Sequence, residues 1–244
     1  MRMLTFSVRT AKEILRDPIN LAFGLGFPVV LILLLSAIQA NVPVSVFEID
    51  QLAPGMTIFG LSFMTLFSAQ LIAKDRESAL ISRLYTTPLT ASDFIFGYTL
   101  PILPIALAQG LVCFVTAAVL GLKVTINMLW ALLILIPAAV FFIALGLLCG
   151  SALSVKQVGG ICGAVLTNLT AWLSGIWFDV SLVGGAFETI ADLLPFTHAV
   201  KIEQAFCAGA FADALPHLPW VLGYAVAAVL ISILTFLRQM SRSF

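Results

Sequence analysis

Apolar side chains run in long unbroken blocks along this chain, and the charged residues fall almost entirely between the blocks. Six blocks, at 21–39, 53–73, 94–120, 127–153, 158–178 and 218–237, reach or approach the roughly 20 residues that a helix needs to cross a bilayer. Within them apolar residues follow one another without the alternation of a barrel strand. Lipid offers the backbone no hydrogen-bond partners, so each crossing segment must pair its own polar groups. The pattern predicts an all-α membrane protein with six transmembrane helices. Composition strengthens this: 61% of residues are hydrophobic, 10% are charged, and the mean hydropathy is +1.12. A soluble fold of 244 residues has no interior large enough for that much apolar side chain. With no Gly/Ser linker, low-complexity tract or clear repeat, residues 1–244 read as one membrane domain.

Charge position supplies the orientation. Arg2, Arg9, Lys12, Arg16, Lys74, Arg76, Arg83, Lys156, Arg238 and Arg242, ten of the twelve basic residues, fall on one side of the predicted spans. Lys123 and Lys201 fall on the other, with Glu48, Asp50, Asp179, Glu188, Asp192, Glu203 and Asp213. By the positive-inside rule the first side, with both termini, is cytoplasmic. The formal net charge of zero conceals this split and gives no reason to expect nucleic acid as a partner. No small-residue cleavage site clearly follows the first block, which is expected to be a retained span.

Three segments between the blocks carry pattern of their own. At the N-terminus, Leu4, Val8, Ala11 and Leu15 share a helical face while Arg9, Lys12, Glu13 and Arg16 lie opposite. Residues 1–18 therefore predict an amphipathic helix in the inner membrane interface, ended by Asp17-Pro18. Residues 74–93 open on the alternating charges Lys74, Asp75, Arg76 and Glu77, then place Leu80, Arg83 and Leu84 at helical spacing. Pro88 stops that helix, and Thr90 or Ser92 can cap the next. A short charged helix with a buriable face suits docking onto a cytoplasmic partner, although a plain solvated connection has the same composition. Residues 179–217 are too apolar for a free loop, and Pro195 divides them into two short helical stretches, an outer hairpin.

The order of interfacial helix, two spans, charged connection, three spans, outer hairpin and last span resembles the ABC-2 type permeases, the membrane subunits of type V ABC exporters. Asp75-Arg76-Glu77-Ser78, followed by Arg83-Leu84-Tyr85-Thr86-Thr87-Pro88-Leu89, is similar to that family's coupling segment. Asp75 stands for its usual first Glu and Ala79 for its usual Gly. Leu194-Pro195-Phe196-Thr197-His198 resembles the family's element before the last span. The resemblance implies a cytoplasmic coupling helix between spans two and three that faces a nucleotide-binding ATPase subunit. Arg76, Glu77, Leu80, Arg83 and Leu84 are then the ATPase-coupling residues, with Glu77 and Arg83 contacting the ATPase. It also implies a second permease copy or homologue and a bacterial or archaeal inner (plasma) membrane.

The chain has no G-x-x-x-x-G-K-[ST] loop to cradle phosphates, so it is expected to be no enzyme and to hold no cofactor, ATP and magnesium being bound by the partner. His198 and His217 carry no metal-ligand spacing, and the four cysteines form no C-x-x-C pair. No acidic residue falls well inside a block, which disfavours ion-coupled transport and suits a hydrophobic or amphipathic cargo, a drug-like molecule or a lipid. Two faces are candidates for its pathway: Phe59, Phe63 and Phe67 in the second block, and Thr167, Asn168 and Trp172 in the fifth. Packing between helices is the competing account of both. The alternative function is a six-span channel or ATP-independent carrier. Topology is directly testable: a cysteine at Asp50 should react with an impermeant reagent added outside intact cells, and one at Ser78 only from inside. Outside labelling at Ser78 would reverse the orientation.

Overall fold

Every regular element among the described residues is helical. A computed structural model of the chain describes residues 2–43, 45, 47–78 and 90–242. The first helix, α1 (Arg2–Leu15), is short and amphipathic. It ends at Asp17, whose side chain accepts the Asn20 N–H at 3.2 Å and so caps α2 (Pro18–Gln39), with Pro18 in its first turn. Next come α3 (Ile49–Glu77), α4 (Ala91–Val119) and α5 (Asn127–Ala152). Thr90 opens α4 through a capping box with Asp93, as its position before the apolar block predicts.

The fifth apolar block does not form one α-helix. It is α6 (Val155–Gly160), a π-helical segment (Ile161–Leu166) and α7 (Thr167–Leu173) in direct succession. The helix stops short of the predicted end at 178 because Ser174 gives way to Gly175 at φ +77°, a conformation that favours glycine. The chain continues as α8 (Gly185–Leu193), α9 (Pro195–Ala208), α10 (Phe211–Ala214) and α11 (Leu218–Arg242). Among the described residues five helices, α2, α3, α4, α5 and α11, are long and apolar enough to cross a membrane.

α3 is the centre. Of its most apolar stretch 89% is buried, against 22% for α2 and 28% for α11, whose outward faces remain apolar. Its closest neighbour is α5. Apolar burial cannot drive helices together in lipid, so the approach rests on small residues and hydroxyls. Gly146 and Gly150 of α5 lie against the backbone of Thr65 and Ala69. Across the same seam Thr65 donates to the Phe142 carbonyl at 2.8 Å and Ser68 to that of Ile143 at 3.1 Å. Ser232 of α11 donates to the Ala144 carbonyl at 3.1 Å, binding a third helix to this pair.

Pro195 does divide the 179–217 segment, as expected, and starts α9 at its first turn. α9 packs into the core. Phe196 packs against Phe141 and Phe142 of α5, and Thr197 donates to the Leu173 carbonyl at 2.6 Å.

The α3–α5 seam predicts a sharp contrast. A Cβ on Gly150 would lie 2.9 Å from the Ala69 Cα, whereas one on Gly159 meets nothing within 4 Å. Gly150→Val should lower stability by about 1–3 kcal/mol through overpacking, and Gly159→Ala should not. Thermal unfolding in detergent checks this; equal midpoints would deny the seam its role.

Candidate functional site

At the C-terminal end of α3 an acidic side chain is drawn inward. Asp75 is only 2% exposed, and its carboxylate is enclosed by partners from two other helices. Arg9 of α1 donates to both its oxygens at 2.7 and 2.8 Å, and the Tyr98 hydroxyl of α4 donates at 2.7 Å. A bidentate guanidinium is the strongest partner available to a buried carboxylate. Glu13, one turn along α1, lies 2.8 Å from Arg9 on its other side. The Asp75 hydrogen bond raises the Arg9 guanidinium above its ordinary range. Burial, then the Asp75 charge, raise the Glu13 carboxyl, with Arg9 acting against them.

α1 is built for this contact. Phe6, Thr10 and Ile14 form its buried face, and Phe6 meets Phe94 and Tyr98 edge-on at 5.6 and 4.9 Å. Leu4, Val8 and Leu15 of the predicted apolar face remain exposed. The basic face is thus shared: Arg9 reaches into the protein while Lys12 and Arg16 stay at the surface.

Neighbouring charges tie further elements to the same corner. Lys74 reaches Asp17 at 3.3 Å, and the Asn20 amide bridges Asp17 and Gln70 at 2.7 and 2.8 Å. Asp17 lies below its usual carboxylate range: although burial, the largest influence, opposes this, the hydrogen bonds from Asn20 and Lys74 prevail. Arg76 donates to the carbonyls of Gly150 and Leu153 at 2.8 and 3.2 Å, and Glu77 accepts the Val155 N–H at 3.0 Å.

These positions revise the expected coupling segment. The charged run at 74–77 is the last turn of α3, not the start of a separate helix, because the helix continues without a break past Ala73. Arg76 and Glu77 are engaged with the α5–α6 connection. Leu80, Arg83 and Leu84 lie outside the described residues.

The two proposed pathway faces are not brought into one cavity among the described residues. Phe59 and Phe67 are buried and Phe63 half-buried. Phe27 of α2 meets the Phe63 ring at 5.4 Å, and Trp177 meets Phe59 at 6.4 Å. Thr167 is buried and donates to the Cys162 carbonyl, five residues back, at 3.1 Å. Asn168 and Trp172 instead face outward, in an open recess of about 370 Å³ with Val165, Leu169, Leu173 and Phe187. The Asn168 amide nitrogen donates to the Ala164 carbonyl at 2.8 Å. The recess follows directly on the π-helical segment, a distortion often found at functional positions.

Reading the sequence missed two buried acids. Asp75 was legible as a charge but not as a hub, because its partners lie 66 residues before it and 23 after it. Glu203 of α9 is 1% exposed, with the Thr57 hydroxyl of α3 at 3.4 Å. Burial, which favours the protonated form, raises its carboxyl well above the ordinary range, while the hydrogen bond from the Thr57 hydroxyl acts the other way. Its neighbours Ile202, Ala205 and Phe206 were the available sign that this stretch is not solvated. Among the described residues no group of three or more His, Cys, Asp or Glu is placed to hold a metal ion.

A family model described as ABC-2 type transporter matches residues 2–205. The match runs from α1 through the Asp75 corner and the π-helical segment to α9. No curated protein gives a significant match to the chain.

Removing Arg9 leaves Asp75 buried without its main partner. Arg9→Ala should cost about 1–3 kcal/mol, tempered by water reaching a side chain that is 39% exposed. Arg9→Met combined with Asp75→Leu should regain much of the loss. Unfolding midpoints of the three proteins test this; an unchanged Arg9→Ala midpoint would make the ion pair ornamental.

Proposed function

The chain belongs to the ABC-2 type transporter family, and we propose that it is the permease subunit of an ATP-driven exporter with six membrane crossings. The observation that carries the reading is the family match itself, which spans the Asp75 corner together with the helices that corner joins. Residues 155–173, helical through the π segment, supply the sixth crossing; at 1.5 Å per residue they reach about 28 Å, near the hydrocarbon thickness. The Asp75 corner faces the cytoplasm by the charge rule, and α8 to α10 lie at the outer side.

The work is done by a separate ATPase that holds ATP and magnesium, docked at residues 74–93. Arg83, Leu80 and Leu84 face it. Arg76 and Glu77 pass its movement to the α5–α6 connection, where the sixth crossing begins, and Asp75 passes it to α1 and α4. A second permease copy or homologue completes the unit. The exposed Asn168 and Trp172 favour a hydrophobic or amphipathic cargo, because an amide beside an indole offers one hydrogen bond within an otherwise apolar recess. The Phe59–Phe63–Phe67 face and Thr167 would join that pathway through movement of α2 and α7.

Affinity capture of the full chain from its native membrane should retrieve an ATPase with a Walker motif. In reconstituted vesicles, ATP should drive outward movement of a fluorescent lipophilic dye or a fluorescent phospholipid. Arg83→Ala and Glu77→Ala should leave membrane insertion unchanged and lower both hydrolysis and transport several-fold. Asn168→Ala should alter dye or lipid preference, at about 1–3 kcal/mol for a lost buried hydrogen bond. Dye or ion movement by the chain alone, without an ATPase, would favour the channel or carrier reading.

A further inference from the structure

The two histidines, 19 residues apart in sequence, meet at the junction of α8, α9 and α11. His198 of α9 is 6% exposed; its ring stacks on Trp220 of α11 at 5.0 Å and 8°. Its Nδ1 lies 2.8 Å from Nδ1 of His217, the residue before α11, and its Nε2 lies 2.8 Å from the Asp192 carbonyl oxygen of α8. The Tyr224 hydroxyl of α11 donates to the Leu193 carbonyl at 2.8 Å, closing the same junction a turn away.

Proton positions follow from the partners. A carbonyl oxygen only accepts, so His198 Nε2 carries a hydrogen. Neutral His198 then presents a bare Nδ1, and the hydrogen between the rings belongs to His217 Nδ1. One added proton can go to His217 Nε2 and leave the contact intact. A second has only His198 Nδ1 to occupy, which would set two N–H donors 2.8 Å apart with no acceptor between them. We propose that His198 and His217 form a proton-operated latch between the α8–α9 pair and the head of α11, closed up to one added proton and opened by the second.

The surroundings bear on the first of these protons, the one that His217 takes. Asp192 of α8 and Lys201 of α9 are the charged groups that bear on the pair. α5, packed against both α9 and α11, brings Phe141 there and contains no charged residue. Burial, then His198 and Lys201, push His217 below its ordinary range, with Asp192 acting the other way. A base lowered in this way is fully stabilising above its ordinary value of about 6.5 and loses that contribution as pH falls through it. On the topology proposed above the latch lies at the outer side and senses external acidity; its chemistry does not depend on that placement.

Trp220 supplies the readout, because an imidazolium quenches the indole stacked on it. In the full chain carrying Trp130→Phe, Trp172→Phe and Trp177→Phe, Trp220 emission is followed from pH 8 to 4.5. Emission should fall toward the acid end of that range as the second proton reaches His198. His217→Ala should let emission fall at a higher pH than in the parent, since His198 no longer faces a competing N–H. His198→Gln, which retains a donor for the Asp192 carbonyl, should abolish the titration. Spin labels at Glu188 and Leu222 should change their separation between pH 8 and 4.5 in the parent and not in His217→Ala. Equal midpoints for the parent and His217→Ala, or a label separation that does not change with pH in the parent, would overturn the latch.

Discussion

The rest of the molecule depends on how closely α3 and α5 approach. Two helices in lipid gain little by hiding apolar surface from one another, since the solvent they leave is as apolar as they are. What holds them is contact between atoms and hydrogen bonds that have no competing water. Gly146 and Gly150 remove the side chains that would keep the axes apart, and Thr65 and Ser68 place hydroxyls on carbonyls of the other helix. With that seam closed, α3 has neighbours all round, and α9 and α11 find surfaces already shaped by Phe141, Phe142 and Ala144.

The Asp75 corner has a different logic. A carboxylate buried at a helix end is unfavourable until a cation and a hydroxyl enclose it, so the acid specifies which helices must come to it. α1 has few other reasons to lie where it does, because Leu4, Val8 and Leu15 face outward and Phe6, Ser7, Thr10 and Ile14 are what it buries. The corner also couples the end of α3 to the backbone of the α5–α6 connection through Arg76 and Glu77. Displacement of this turn is therefore shared among three separate parts of the bundle.

How far the sequence could be read followed from the range of each interaction. The long helices were legible because each is a local matter of about twenty apolar residues, and the Thr90 cap and Pro195 start were legible because their signals lie within four residues. The end of α3 was placed too early, since charge signals the edge of a membrane rather than the end of a helix. Arg9 falls on the polar face of α1 by periodicity, but that face does not reveal a partner 66 residues away. α9 is short and carries Lys201 and Glu203; Ile202, Ala205 and Phe206 marked it as unsolvated, but its place in the core comes from Phe196 meeting two rings of α5, which no local signal gives. Of the three residues taken together in the fifth block, Asn168 and Trp172 share an exposed face, whereas Thr167 turns inward beside them, which periodicity alone did not separate.

That last separation traces to the π-helical segment at Ile161–Leu166. A regular helix advances about 100° per residue, so the residue accommodated by a widened turn rotates everything after it by roughly that angle relative to everything before. Cys162, before the turn is complete, points into the cluster with Val158 and Ala69, and Thr167 follows it inward by bonding to its carbonyl. Asn168 is thereby left as an amide on an otherwise oily flank. The segment acts as a phase shifter: it lets residues 155–173 keep Val158 and Cys162 toward α3 before the turn and present a different set of side chains after it. A chain shortened there by a single residue would keep its length, composition and hydropathy almost unchanged and would turn every side chain of α7 by about 100°.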